Sequence, residues 1–267
     1  MKKGPIPATP SHNIIPAFEI RKQYICFELS SRLRERRRPK DTERRSAAVD
    51  LLLDLLFPPR CAFCGALMER SGAGVCPDCR LPFIPSEEVL RPVGERGYPC
   101  AVALYYDGVV KTGVRAIKFQ GKSWRAKVFA RYVAQTAAEH LSGAFDAVTY
   151  VPVSPRRKFV RGYDQAQLLA RAAAKIWSVQ AEQILRKVRH NRAQSSLSRP
   201  EERRENVKNA YAVPRPRQAA GRRFLLIDDV CTTGGTLAAC ADALMDAGAA
   251  SVVCAALAGG HGANTGQ

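Results

Sequence analysis

Nowhere in its 267 residues does the chain hold an apolar run long enough to cross a membrane. The longest candidate, Ala47 to Phe57, is broken by Asp50 and Asp54, so an integral membrane helix is excluded. A secretory leader is not expected either, because Lys2 and Lys3 are followed by Gly4, Pro5, Pro7, Pro10 and His12 instead of an apolar stretch. The expected location is therefore the cytoplasm. There, the nine cysteines are not expected to pair as disulfides, and their spacing is to be read for metal or catalysis. Basic residues are absent from 224–267, which carries four Asp/Glu and no Lys or Arg. They are concentrated instead in 151–223, with 18 Lys/Arg against 5 Asp/Glu (net +13), and in 1–46, with 12 against 5 (net +7). A polyanion, whether phosphate ester or nucleic acid, should meet the internal basic segment. Aromatics are scarce there (Phe159, Tyr163, Trp177 and Tyr211), so base stacking should add little to such binding.

What is present is enough for a real core: 46% of residues are hydrophobic and 25% charged, which excludes a disordered, collagen-like or disulfide-stapled chain. Three parts are expected. Residues 1–46 show no sustained period and end in a run of arginines, and they read as a disordered basic extension or as an arm for nucleic acid or a membrane surface. Residues 47–90 combine an amphipathic helix, Ala47 to Phe57, closed by Pro58 and Pro59, with a cysteine-rich module. Residues 91–267 alternate strands and helices. The spacing predicts strands over Val102 to Tyr106, Ala147 to Val153, Phe224 to Ile227 and Ser251 to Ala258. Helices are predicted over Trp124 to Leu141, Gln165 to Trp177, Arg199 to Asn209 and Thr236 to Ala247. Such alternation implies an α/β fold: a parallel sheet of about five strands flanked by helices, with ligand at the carboxyl ends of the strands.

Cys61-Ala-Phe-Cys64 and Cys76-Pro-Asp-Cys79 are two C-x-x-C pairs. Two such knuckles complete a tetrahedral four-thiolate zinc site with no position left for water, which argues for a structural role. Redox use is the competing reading, but a thioredoxin-type pair comes singly at a helix start within a βαβ frame, and neither pair has that context. A segment this small lacks a core of its own, so the metal is expected to fold it, while the following domain keeps a separate core.

The run Leu225-Leu226-Ile227-Asp228-Asp229-Val230-Cys231-Thr232-Thr233-Gly234-Gly235-Thr236 places two carboxylates at the end of a buried strand and then a Thr/Gly loop before a helix. Backbone N–H groups and hydroxyls of that loop, with the helix N-terminus behind them, suit a dianionic phosphate. Gly234 and Gly235 are expected to let the backbone approach it. Asp228 and Asp229 would repel phosphate and instead suit ribose hydroxyls or water on Mg²⁺. No G-K-[ST] and no G-x-G-x-x-G occurs there, so neither a Walker A loop nor a Rossmann fingerprint is present.

That run resembles the 5-phosphoribosyl-1-pyrophosphate (PRPP) motif of type I phosphoribosyltransferases. Together with the cysteine pairs, the opening Leu55 to Cys64, Val151 to Arg157, Arg161 to Gln165 and the stretch Gln194 to Tyr211, it makes residues from about Leu51 to Ala258 similar to the ComF family of competence-associated, phosphoribosyltransferase-like proteins. The resemblance implies that Thr232, Thr233, Gly234, Gly235 and Thr236 hold the 5-phosphate and that Asp228 and Asp229 hold the ribose hydroxyls. It implies a pyrophosphate loop after the strand Ala147 to Val153, with Arg156, Arg157, Lys158 and Arg161 as candidates, and a mobile loop carrying Arg189, Arg192 and Arg199. It further implies structural zinc at Cys61, Cys64, Cys76 and Cys79, and Mg²⁺ arriving with PRPP. In 6-oxopurine salvage enzymes of this fold a carboxylate occupies the position of Thr232; here it is absent, which argues against hypoxanthine or guanine as acceptor. No general base is apparent. Two functions stay open: a phosphoribosyltransferase linked to DNA uptake or utilisation, and a non-catalytic DNA-processing factor that binds single-stranded DNA on the same scaffold.

Overall fold

Buried apolar runs and helical spacing in residues 86–261 build an α/β sheet, seen here in a computed structural model that describes residues 58–68, 74–80, 83–84, 86–188 and 209–261. The expected extension 1–46, the helix Ala47 to Phe57 and nearly all of the helix Arg199 to Asn209 lie outside the described residues. The strands are β1 (Leu90–Val93), β2 (Tyr98–Tyr105), β3 (Ala147–Tyr150), β4 (Arg186–Lys187), β5 (Tyr211–Ala212), β6 (Arg223–Cys231) and β7 (Ser251–Gly259). The helices are α1 (Ser86–Val89), α2 (Gly108–Phe119), α3 (Arg125–His140), α4 (Pro155–Arg161), α5 (Gln165–Ile176) and α6 (Gly235–Asp246).

Five strands form the main sheet in the order β1-β2-β7-β6-β3. β2, β7, β6 and β3 run parallel, as the alternation of strands and helices requires. The sheet is not wholly parallel, because β1 pairs antiparallel with β2 across the tight turn of residues 94–97. A connection that short can join only antiparallel neighbours. β4 and β5 make a separate two-stranded ribbon.

β6 and β7 are the central strands. Phe224, Leu225, Leu226 and Ile227 are all fully buried, as are Cys254, Ala256 and Ala258, so both faces of these strands are covered. α3 and α5 pack on each other and on the sheet, while α6 packs on β6, β7 and β1. Small residues make the close approach possible: the buried faces of α3 and α5 are largely alanine, with Phe129, Val133 and Leu169 between them. α2 was not foreseen from the sequence. Its buried residues Val110, Gly113, Val114 and Ile117 follow helical spacing, but Gly108 and Gly113 are poor helix formers, and tertiary packing overrides that weak propensity.

The cysteine module does not stand apart from this core. Cys61, Ala62, Phe63, Cys76, Cys79 and Ile84 belong to the same apolar cluster as the sheet. The Phe63 ring lies 4.9 Å from Phe129 and 5.6 Å from Tyr132, and Phe83 lies 5.2 Å from Tyr132.

Candidate functional site

β6 runs past its buried stretch and ends in Asp228, Asp229, Val230 and Cys231. Both carboxylates are therefore part of the strand, at its carboxyl end, and both are half-buried. Asp228 Oδ1 accepts the Asp229 amide at 2.8 Å, which locks the pair's geometry. Burial and the adjacent Asp229 charge push the Asp228 carboxyl well above the usual carboxylate range, against the opposing pull of Lys118. Lys118, at the end of α2, sets its Nζ 2.9 Å from Asp229 Oδ2. Burial works against the Lys118 charge, but Asp229 and Asp228 outweigh it and hold its pKa above the ordinary value.

Beyond Asp229 the chain turns into α6. Thr232 and Thr233 are exposed, and Gly234 caps the helix at φ 73°. A Cβ on Gly234 would lie 2.7 Å from Val93 Cβ, so left-handed backbone and packing against β1 already demand glycine there. Fold geometry by itself is therefore enough to require glycine at 234. Gly235 differs: a Cβ there would meet only Thr233 Oγ1, at 3.7 Å, and no fold reason excludes a side chain.

A cleft of about 800 Å³ opens beside Lys118. Lys118, Arg156, Arg157, Arg161 and Lys187 supply its charge, and Phe119, Val160 and Tyr163 its apolar wall. The segment expected to be a pyrophosphate loop is the short helix α4. Ser154 caps it by accepting the Arg157 amide at 3.3 Å, Pro155 occupies the first turn, and Gly162 ends it in left-handed geometry. The buried Asp164 closes the excursion, accepting the amides of Val153 at 2.9 Å and Gln167 at 3.1 Å. Burial and the neighbouring Arg157 draw down the pKa of both Arg161 and Lys187. Crowded, partly desolvated cations of this kind gain most from an anion.

The four cysteines come together as expected. All four sulfurs lie within 4.8 Å of one another, and Cys64 Sγ is 3.8 Å from Cys76 Sγ. A tetrahedron with Zn–S of about 2.3 Å has edges of about 3.8 Å, so the donor set fits zinc. Amides of Ala66 and Cys76 donate to Cys64 Sγ and Cys61 Sγ at 3.4 and 3.5 Å. Burial pushes the thiols of Cys76 and Cys79 up. At Cys61 burial also opposes the thiolate, yet the amides of Cys76, Cys64 and Phe63 bring its pKa down to about 6.

Of the residues singled out from sequence, the structure gathers Arg156, Arg157 and Arg161 on one cleft wall and links Asp229 to that wall through Lys118. The loop 232–236 is not part of the cleft lining, and Arg189, Arg192 and Arg199 lie outside the described residues. Cys231 is the buried last residue of β6, immediately before that loop. Sequence reasoning missed Lys118, Phe119 and Lys187. An Ile-Lys-Phe step at the end of an unrecognised helix gave no signal of its own.

Comparison with known proteins agrees with both halves of this geometry. A phosphoribosyl transferase domain family matches residues 162–265, and a double zinc ribbon domain family matches residues 52–90. Competence protein F of Haemophilus influenzae is 30% identical over 185 residues, 67% of this chain and 75% of that protein. The chain belongs to the ComF family. DNA utilization protein YhgH of Salmonella typhimurium is 31% identical over 203 residues, covering 72% of this ComF-family chain and 86% of its own. Competence protein ComFC of Streptococcus pneumoniae is 28% identical over 200 residues, 72% and 84% of the two chains. A solved glutamine PRPP amidotransferase from B. subtilis covers 55% of this chain and 27% of its own, at 20% identity and a TM-score of 0.33, too low to carry an argument. No helix among the described residues is long and apolar enough to cross a membrane.

Two measurements check this geometry. The ComF-family chain should hold one zinc ion, and a Cys76→Ser, Cys79→Ser double variant should lose it, read by elemental analysis of purified protein. The second concerns Asp228, whose folded pKa lies above its unfolded value of about 3.9. Its ionisation therefore destabilises the ligand-free fold increasingly as pH rises from about 4 through the folded pKa. Asp228→Asn keeps the Oδ1 acceptor and removes that penalty. Thermal melts should place the variant above the parent at pH 8 and level with it near pH 4.

Proposed function

We propose that the protein binds Mg²⁺-PRPP or a related ribose 5-phosphate at Asp228–Thr236 and serves in the uptake or utilisation of DNA. The observation that carries this reading is the acidic end of β6 set between a glycine-threonine turn into α6 and a cationic cleft. A phosphoribose ligand matches that order of charges. Its 5-phosphate takes the loop Thr232, Thr233, Gly234, Gly235 and Thr236 and the N-terminus of α6. Its vicinal hydroxyls, or water on the accompanying Mg²⁺, face Asp228 and Asp229. Its pyrophosphate turns to Arg156, Arg157 and Arg161, with Arg189, Arg192 and Arg199 as further candidates. The role in DNA handling rests on relatives named for competence and DNA utilisation. Binding, positioning and charge stabilisation are the chemistry these residues provide.

Calorimetry with Mg²⁺-PRPP tests the site. The parent should bind, and replacing both Asp228 and Asp229 by Asn should weaken binding by about 1.5–3 kcal/mol, roughly 10- to 150-fold. Gly235→Val should weaken binding while the protein still melts as the parent does. Gly234→Val should instead destabilise the fold by at least about 2 kcal/mol through its left-handed backbone and the contact with Val93. A parent protein that gives no binding heat, or a double variant of equal affinity, overturns the assignment.

A second reading is a single-stranded DNA-binding factor without catalysis, favoured by the five cationic side chains of the cleft and by Phe119 in its lining, 69% exposed. Binding should then weaken with salt at a slope of about −0.7 per phosphate neutralised. Titration of an oligonucleotide at two salt concentrations checks it, and binding that is absent or indifferent to salt excludes it.

A further inference from the structure

α3 begins at Arg125, only 2% exposed and, among the described residues, the one cationic side chain that is fully buried. Its guanidinium reaches into the first cysteine knuckle: Nη1 donates to Ala62 O at 2.8 Å and to Phe63 O at 3.1 Å. A Cβ on Gly65 would lie 3.3 Å from Nη2. Nε is buried with no partner. Four thiolates around one zinc ion would carry a net double negative charge, with three of the cysteines buried and Cys64 exposed. The Arg125 guanidinium, held on the carbonyls of the same knuckle, offsets part of that charge.

α2 touches the same knuckle with its backbone. A Cβ on Gly113 would meet Ala62 O at 3.0 Å, Phe63 Cα at 3.3 Å and Phe129 Cζ at 2.8 Å, so helix and knuckle are in contact with no room for a side chain. Five residues on, roughly 7–8 Å along the helix axis, lies the cleft. There Ile117 O accepts the Tyr163 hydroxyl at 2.5 Å, and Lys118 holds Asp229 at 2.9 Å. The turn from α2 to α3 then places Phe119 and Gly121 in the cleft lining, and Arg125 lies 5.4 Å from the ring centre of Trp124. Knuckle and cleft thus both contact the α2–α3 unit, the knuckle at Gly113 and Arg125 and the cleft at the turn between them.

We propose that the zinc knuckle buttresses the cleft, with Gly113 and Arg125 as positioning residues through which the bound metal fixes the α2–α3 turn and the Lys118–Asp229 pair. The ligand readout rests on the phosphoribose reading above; the fluorescence readout does not. Trp124 is 41% exposed and Trp177 fully buried, so acrylamide quenching of the intact protein reports on Trp124. Zinc is stripped with a chelator, the chelator is dialysed away and Mg²⁺ restored. Trp124 quenching should then rise, and Mg²⁺-PRPP affinity should fall at least tenfold, with both restored by added zinc. In the zinc-loaded protein, Arg125→Met should release zinc to a colorimetric chelator at least tenfold faster and raise quenching, and Arg125→Lys should recover part of both. Gly113→Ala should raise quenching with the metal still bound. Parental quenching after stripping, or parental zinc release and quenching in Arg125→Met, overturns the proposal. So does collapse of the far-UV helical signal on stripping, since the metal would then hold the whole fold rather than this wall. A parent that never binds PRPP fails the phosphoribose reading alone, because the quenching and zinc-release arms still decide the buttress.

Discussion

Two adjacent carboxylates end a strand whose faces are both covered by helices, and their charge is the constraint around which the rest is arranged. Like charges that close cannot both ionise cheaply in a desolvated place. One amide and one ammonium answer this: the Asp229 N–H on Asp228, and Lys118 on Asp229. Lys118 comes from α2, so the position of that helix is tied to the electrostatics of β6. The opposite imbalance exists a few ångströms away, where Arg156, Arg157, Arg161 and Lys187 share a cleft wall with Lys118. On the proposed reading, a Mg²⁺-bearing phosphoribose would bring cation and hydroxyls to the acids and phosphates to the cations, and so would relieve both imbalances in a single binding event. An uncharged ligand relieves neither.

Sequence patterning reached the parts of this design that are local. Phe224 to Ile227 read as a doubly buried strand, the cysteine spacing as a metal knuckle, and Gln165 to Trp177 as a helix; each lies in or along the predicted element. The antiparallel β1 escaped because Leu90-Arg-Pro-Val carries a proline and no clean alternation, and its register comes from the turn at Gly94–Gly97. α4 escaped for a different reason. Pro155 reads as the end of a strand, yet it occupies the first turn of a helix that Ser154 caps, and only the return of Asp164 to the Val153 amide, set by tertiary packing, closes the excursion. Lys118 was not legible at all, since its partner lies 111 residues further along the chain and their meeting is a product of strand order.

Glycine positions mark the same boundary between local and tertiary causes. In the sequence Gly234 and Gly235 look alike, two residues of one phosphate-type turn. In the structure Gly234 answers to φ 73° and to Val93 on the sheet edge, and Gly235 to neither. Gly235 is free of structural duty, and on the proposed reading the approach of a ligand would account for its small size.

Gly113 carries that argument to the knuckle side of α2. A glycine inside a helix costs about 1 kcal/mol against alanine, and α2 accepts it where Ala62 and Phe63 of the knuckle lie against the backbone. The knuckle in turn lacks any core of its own and sets its one large ring, Phe63, between Phe129 and Tyr132 of α3. Each unit therefore completes the other: the helices provide the apolar floor and the buried guanidinium that a thiolate cluster needs, and the metal-bound knuckle closes the rear of the two helices that carry Lys118 and the cleft turn. A metal module built this way acts on the site by holding its wall in place, and it does so without any zinc ligand approaching the cleft.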